Sequence, residues 1–123
     1  MTAPFKKESE VEWEPHFMAE HGKIKWIYTP EKDDSPITVM LISFEEGVTL
    51  PDHVHKYQPD LIHVLKGKAT FFMDGVGEFP MEPGMVILVP PNTLHAMRRV
   101  EKEGLLVYNV FSPGTKYTKR GEK

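Results

Sequence analysis

The chain has 123 residues, enough for one ordinary domain, and its 40% hydrophobic and 27% charged residues are typical of a globular protein. The formal net charge of −3 gives no electrostatic reason to expect nucleic acid or an anionic membrane as a partner. Because the chain contains no cysteine, disulfides, thiolate zinc sites and a cysteine nucleophile are excluded. No apolar stretch has the length of a secretory signal or of a membrane span of about 20 residues, so we expect a cytoplasmic protein.

Seven runs rich in branched and aromatic residues, separated by prolines and glycines, have the length of β-strands. They comprise residues 25–29, 37–44, 60–66, 69–73, 85–89, 95–100 and 105–111. The intervals between them are too short for the crossover helices of a parallel sheet, and their spacing is typical of all-β barrels and sandwiches. We therefore predict an all-β, antiparallel domain over residues 23–114, preceded by an N-terminal arm at 1–22 and followed by a flexible polar tail at 115–123.

The run at residues 60–66 is apolar on both sides of the predicted strand. Ile62 and Val64 share one side with Asp60, whereas Leu61 and His63 lie on the other. A strand with two apolar faces is covered twice, once by the barrel core and once by a second sheet or subunit. This pattern predicts a homodimer and places His63 on the outer face or at a subunit contact.

Two histidines at alternate positions, His53 and His55, are the first candidates for metal ligands. Residues two apart in a strand point the same way, with Cα atoms roughly 7 Å apart, which suits two nitrogen ligands of one ion. Taken alone, the pair is weak evidence for a metal site, because surface or core histidines at this spacing also arise by chance.

Asp60 and His95 each begin a strand after a predicted turn. Pro59 ends the turn at residues 56–59, so Asp60 can face the interior, where a cation would stabilise its carboxylate; the alternative is an exposed turn aspartate. His95 follows a turn in which Asn92 tolerates left-handed backbone geometry. Three histidines and one carboxylate from separate strands predict a metal site with one or two open positions.

Other histidines and the methionines are given structural roles. His16 and His21 are five positions apart in a polar N-terminal segment and miss the helical spacing of metal sites. Four methionines lie in apolar runs and are expected to fill the core: Met40, Met73, Met85 and Met97.

Two spaced motifs resemble the signatures of the cupin superfamily. The first is Gly47, five residues, His53-Val54-His55, four residues, Asp60, six residues and Gly67; the second is Gly84, five residues, Pro90-Pro91-Asn92, two residues and His95. Both spacings fit without insertion, and the resemblance extends over residues 37–111. It implies a small antiparallel β-barrel of the jelly-roll or double-stranded β-helix type, which forms dimers and binds a divalent metal through four ligands: His53, His55, Asp60 and His95.

Three positions depart from the pattern of that superfamily. Asp60 stands where glutamate is usual, so its shorter side chain ligates from a closer backbone, through water or not at all. Asn92 replaces a common glycine, and Arg99 replaces a common asparagine. Arg99 shares the strand parity of His95, so it would face inward and anchor an acidic substrate or pair with Asp60, unless a β-bulge turns it outward.

Two classes of function fit these residues. The first is an enzyme that uses Fe, Mn, Ni, Co or Zn, with dioxygenase-like oxidation of a small acidic molecule favoured over isomerase or lyase chemistry. Tyr57, Gln58 and Arg99 are candidates for substrate binding, and Tyr57 and Arg99 also for catalysis. The alternative is a non-catalytic module that binds a sugar or an organic acid, and a structural dimer without metal comes third.

Overall fold

A computed structural model describes residues 4–114, in which every strand pairing is antiparallel. The strands are β1 Glu14–Pro15, β2 Gly22–Tyr28, β3 Thr38–Phe44, β4 Leu50–His53, β5 Asp60–Met73, β6 Gly77–Met81, β7 Val86–Val89 and β8 His95–Phe111. A 3-10 turn at Glu8–Glu10 precedes them, and one short helix, α1 Pro30–Asp33, follows β2. The predicted antiparallel β fold is confirmed, whereas the predicted tail at 115–123 lies outside the described residues.

Two long strands organise the sheet. Its order is β1-β2-β3-β8-β5-β6, with β4 also paired to β8 and β7 to β5. In the β5–β8 ladder Asp60 lies opposite Phe111 and Met73 lies opposite His95, so the two strands run alongside each other from end to end. The inner faces of these strands enclose one apolar cluster, in which Met40, Met73 and Met97 are buried as predicted.

Two glycines allow the long strands to bend without ending. Gly67 and Gly104 have φ angles of 86° and 78°, in the left-handed region that favours glycine. They lie so close together that a Cβ added to Gly67 would be 1.9 Å from the carbonyl oxygen of Gly104. The sequence predicted a strand break at each place, but β5 and β8 continue through both.

Alternation along β5 and β8 decides which side chains reach the interior. Asp60 and Ile62 are buried in β5, whereas Leu61 and His63 are exposed, as the parity of the strand predicted. Asn109 of β8 lies opposite Ile62 and is also buried. The inner face of this ladder therefore carries a carboxylate and an amide among apolar side chains.

The N-terminal segment is attached to the outer side of the sheet. Lys6 Nζ donates to the Ile27 carbonyl oxygen at 2.7 Å and pairs with Asp33 Oδ1 at 3.0 Å. Lys25 forms a second ion pair with Glu8. These contacts fix residues 6–8 against β2 and α1. Within residues 4–114, none of the helices is both long and apolar enough to span a membrane.

Candidate metal centre

Three histidines reach one point from the β4–β8 ladder and the loop that follows β4. His53 ends β4 and pairs in register with His95, the first residue of β8. His55 lies beyond the end of β4, so it is not on the same strand as His53, contrary to the sequence-based expectation. Its carbonyl oxygen instead accepts a hydrogen bond of 2.7 Å from the backbone N–H of Asn92, whose φ of 57° gives the predicted left-handed turn.

The imidazoles of His53, His55 and His95 converge closely enough to hold one ion. Their candidate ligand nitrogens all lie within 4.8 Å of one another. The ring centroids of His53 and His95 are 4.2 Å apart, and each lies 5.2 Å from the ring of His55. His55 and His95 are buried and His53 is half-buried, so the group is largely shielded from solvent.

Backbone carbonyl groups fix the tautomers of two of these rings. Nδ1 of His53 lies 2.7 Å from the Pro51 carbonyl oxygen, and Nδ1 of His95 lies 2.9 Å from the Thr93 carbonyl oxygen. Since a carbonyl oxygen can only accept, Nδ1 carries the hydrogen and Nε2 keeps its lone pair in each neutral ring. Nε2 of His95 is buried without a hydrogen-bond partner, which is the condition of a nitrogen that serves as a metal ligand.

Burial keeps two of these histidines neutral at physiological pH. Burial, together with charge repulsion from His53, lowers the pKa of His95 to about 4, although the bond to Thr93 opposes the shift. Burial also lowers the pKa of His53, while the Pro51 carbonyl and Asp52 act in the opposite direction. Because a metal ion binds the neutral imidazole, both rings are in their ligating form at pH 7.

Asp60, the predicted fourth ligand, lies beside the three histidines but outside their group. Its Oδ2 is 4.0 Å from His55 Nε2, and its Oδ1 accepts a hydrogen bond of 3.0 Å from Asn109 Nδ2. Burial raises the pKa of Asp60 to about 7, and the bond from Asn109 only partly offsets this. A cation bound nearby would lower that pKa and stabilise the charged carboxylate.

The histidines and Asp60 open into one cavity with mostly apolar walls. The walls include side chains of β3, β5 and β8, among them Met40, Ile42, Phe71, Leu105, Val107 and Phe111. No lysine or arginine of residues 4–114 lines it. An anionic ligand in this cavity would therefore be neutralised by the bound metal and not by a basic side chain.

Arg99 faces outward, which is the orientation that the sequence left open for the case of a β-bulge. Phe71 pairs with Met97 and Thr70 pairs with Arg99, so Arg98 is an additional residue in β8 and forms a bulge. The bulge shifts the alternation by one residue, and Arg99 is exposed at the surface. It therefore neither lines the cavity nor contacts Asp60.

The structure does not bring Tyr57 and Gln58 together with the histidines. Tyr57 is 72% exposed and lies near Lys56. Gln58 is buried, and its Oε1 has no hydrogen-bond partner. Neither side chain lines the cavity.

Two polar residues that the sequence interpretation left out of the site line the cavity, Asn109 and His16. Asn109 holds Asp60, and a polar residue on the inner side of an apolar strand was a signal that could have identified it. His16 lines the cavity from the segment before β2. No local pattern could have identified His16, since its position depends on how that segment folds over the barrel.

Comparisons with known proteins agree with this architecture. Quercetin 2,3-dioxygenase of Bacillus subtilis (strain 168) is 31% identical over 84 residues, which cover 65% of this chain and 25% of that protein. The chain thus spans about a quarter of the length of this curated relative.

Solved structures show the same fold at lower sequence identity. An RmlC-like cupin from Shewanella frigidimarina NCIMB 400 has a TM-score of 0.76 at 21% identity, covering 94% of this chain and 95% of that one. Bacillus subtilis oxalate decarboxylase, a protein with Mn(II) centres, has a TM-score of 0.73 at 16% identity, covering 89% of this chain and 29% of that one.

The family itself is established by the cupin domain profile, which matches residues 40–111. That range runs from β3 to the end of β8 and contains the three converging histidines. The resemblance found in the two motifs is thereby confirmed, and this chain belongs to the cupin domain family.

Proposed function

We propose that this protein is an enzyme that uses one divalent transition metal held by His53, His55 and His95. The observation that carries the proposal is the convergence of three imidazoles, one of which has a buried Nε2 without a partner. Nitrogen ligands without thiolate suit Fe, Mn, Ni, Co or Zn. When bound, such an ion supplies Lewis-acid polarisation of a substrate oxygen or, if it is redox-active, oxidative chemistry.

Within that class, we favour dioxygenase-type oxidation of a small molecule, with isomerase or lyase chemistry as alternatives. The 31% identity to a quercetin 2,3-dioxygenase supports the oxidative reaction. Because Arg99 is exposed and does not line the cavity, the metal would be the partner of an acidic oxygen of the substrate. The apolar walls favour a substrate whose other atoms are mostly apolar. The substrate would thus be a small molecule with one acidic oxygen and few other charges.

A ligand-binding module without catalysis is the second candidate. Among residues 4–114, Asp60 is the only carboxylate that lines the cavity. The described part of the site therefore contains no pair of carboxylates for acid–base chemistry. Such a module would retain the metal and bind an organic acid or a sugar without converting it.

Metal content and oxygen uptake separate these candidates. The protein would be purified without an affinity tag, and its metal measured by elemental analysis beside the His95→Ala variant. Oxygen uptake would then be followed with Fe(II)- or Mn(II)-loaded protein on small hydroxy acids, keto acids and phenols. Uptake that requires both metal and substrate supports the dioxygenase, binding without turnover under every metal supports the module, and absence of metal from the parent contradicts both.

We also propose that the chain forms a homodimer through the outer face of β5 and β7. Leu61, Val86 and Leu88 are 39%, 61% and 59% exposed, respectively. Leu61 lies opposite Leu88 in the ladder, and His63 lies opposite Val86, so these side chains form one continuous patch. A contiguous apolar patch on a sheet is typical of a protein interface.

A further inference from the structure

The segment before β2 brings a fourth imidazole into the cavity. The side chain of His16 is buried, its ring stacks on Phe17 with centroids 4.4 Å apart, and it lies 5.2 Å from the ring of Phe44. The backbone N–H of His16 donates to the Gly22 carbonyl oxygen at 2.9 Å, which ties the segment to the start of β2. His16 lines the same cavity as His53, and its pKa is lowered by burial and, to a smaller extent, by charge repulsion from His53.

Hydrogen bonds determine which nitrogen of His16 carries the hydrogen. The backbone N–H groups of Met18 and Ala19 both donate to Nδ1, at 3.0 and 3.1 Å. A ring nitrogen that accepts two hydrogen bonds carries no hydrogen, so in the neutral ring the hydrogen is on Nε2. Both hydrogen bonds that this ring makes within residues 4–114 are at Nδ1, so neither of them uses the Nε2–H.

The ring nitrogens of His16 thus have the opposite roles from those of His53 and His95. In His53 and His95 the Nδ1–H groups donate to carbonyl oxygens and Nε2 keeps a lone pair. In His16 the lone pair is used by the loop and Nε2 is left as a donor. Burial lowers the pKa of His16 to about 4, so the ring is a neutral donor at pH 7 and does not repel a metal ion.

We infer that His16 is a ligand-positioning residue, which donates a hydrogen bond from Nε2 to an acceptor atom of the molecule that binds at the open side of the metal centre. The inference rests on the proposed three-histidine metal site and adds a requirement for the ligand. A small molecule with an anionic or carbonyl oxygen beside its metal-binding atom would satisfy both the ion and the Nε2–H of His16. A ligand that offers only donors would leave that group unsatisfied in an apolar cavity, which is costly.

Two substitutions separate the donor from the acceptor of His16. The Oδ1 of His16→Asn takes the place of Nδ1 and keeps the hydrogen bonds to the loop, but the Nε2–H is lost. The amide of His16→Gln places an N–H near the position of Nε2 but loses the acceptor for the loop. His21→Asn is the matched control, because His21 is exposed in the same segment.

The probe is azide, a small metal-binding anion with acceptor nitrogens, titrated into Co(II)-loaded protein and followed by the visible spectrum. We expect His16→Asn to weaken azide binding about tenfold or more, and His16→Gln and His21→Asn to stay within about threefold of the parent. The inference would be overturned if His16→Gln lost more azide affinity than His16→Asn, if both lost the same amount, or if neither lost any. In each case the Nε2–H donor would not determine the affinity for azide.

Two further readouts separate failure of the inference from failure of the proposed function. Co(II) affinity should be the same in all four proteins. A parent that does not bind Co(II) would contradict the proposed function, whereas a parent that binds Co(II) but not azide would overturn only the role of His16. In the zinc-loaded protein at pH 7, the ring ¹⁵N shifts of His16 should show a protonated Nε2 and an unprotonated Nδ1, and the opposite tautomer would overturn the inference.

Discussion

Asn109 donates a hydrogen bond to Asp60 across the inner face of the β5–β8 ladder, with 3.0 Å between Nδ2 and Oδ1. Both side chains are buried, so the amide fixes one carboxylate oxygen and leaves Oδ2 on the side of His55, 4.0 Å from its Nε2. Asp60 is therefore arranged as an electrostatic neighbour of the histidine group, which a bound cation would stabilise.

Replacing Asp60 should weaken metal binding without abolishing it. Asp60→Asn removes the charge beside His55 while keeping the shape of the side chain, and we expect about a tenfold loss of affinity, as for other residues next to metal ligands. Affinity is measured by competition with a chromophoric chelator. If Asp60→Asn loses as much affinity as His55→Ala, Asp60 is a direct ligand and the arrangement inferred from the structure is wrong.

Removing one histidine of the group should eliminate stoichiometric metal. His95→Ala deletes the buried Nε2 that has no protein partner, and we expect a loss of affinity of more than about a hundredfold. His63→Ala, on the exposed outer face, is the control and should retain the metal content of the parent. Elemental analysis after gel filtration gives the result, and full metal occupancy in His95→Ala would remove this residue from the site.

The contact between Gly67 and Gly104 should be among the positions least tolerant of a side chain. Gly75→Ala places a Cβ in open space at a φ of 87°, so it should cost roughly 1–2 kcal/mol of unfolding free energy through backbone strain. Gly67→Ala adds the clash with the Gly104 carbonyl oxygen and should cost about 1–3 kcal/mol more. Urea unfolding of both variants makes the comparison, and equal losses would show that β5 and β8 can separate at this bend.

Stability of the metal-free protein should decline with acid partly because of His16. Its pKa is lowered from 6.5 to about 4, so the unfolded chain takes up the proton first as the pH falls. The neutral ring therefore contributes to the free energy of unfolding, by about 3 kcal/mol at most. This contribution is complete above pH 6.5 and is lost as the pH falls from 6.5 to 4.

His16→Asn cannot titrate in this range, so its free energy of unfolding should fall less steeply than that of the parent between pH 6.5 and pH 4. Urea unfolding at several pH values in the presence of a chelator measures both slopes, with the exposed His21→Asn as the control. Parallel curves for parent and His16→Asn would mean that His16 is not buried as a neutral ring.

A charge on the outer face of β7 should disrupt the proposed dimer. Leu88→Lys introduces an ammonium group at the centre of the patch opposite Leu61, where burial against a second copy would be costly. Val76→Lys changes a similarly exposed apolar residue, in the turn between β5 and β6, and should have no effect on the mass. Light scattering after gel filtration gives the mass of each protein, and a monomeric parent would contradict the proposal.

The sequence predicted strands best where apolar runs were long. Three strands escaped notice, β1, β4 and β6, because each is short and contains a proline: Pro15, Pro51 and Pro80. The sheet accepts Pro80 because β6 lies at its edge, where a missing N–H costs little. Gly67 and Gly104 were interpreted as strand ends, but tertiary pairing between β5 and β8 carries both strands through the bends.

The metal-site histidines were predictable because each has a fixed place in a short motif, His53 and His55 in the first and His95 in the second. The orientation of Arg99 was not predictable, since it depends on one additional residue in β8 that is evident only from the pairing with β5. The position of His16 was not predictable either, because it depends on contacts with Phe17, Gly22 and Phe44 that no sequence periodicity indicates.

The carbonyl oxygens of Pro51 and Thr93 hold the rings of His53 and His95. A carbonyl oxygen is present whatever the side chain, so mutational drift at positions 51 and 93 leaves both tautomers in place. Asp60 depends instead on the amide of Asn109 and would be released by a single substitution. The orientation of the ligating nitrogens is thus insensitive to substitution at these two positions. The negative charge beside them, in contrast, could be altered by one substitution at Asn109.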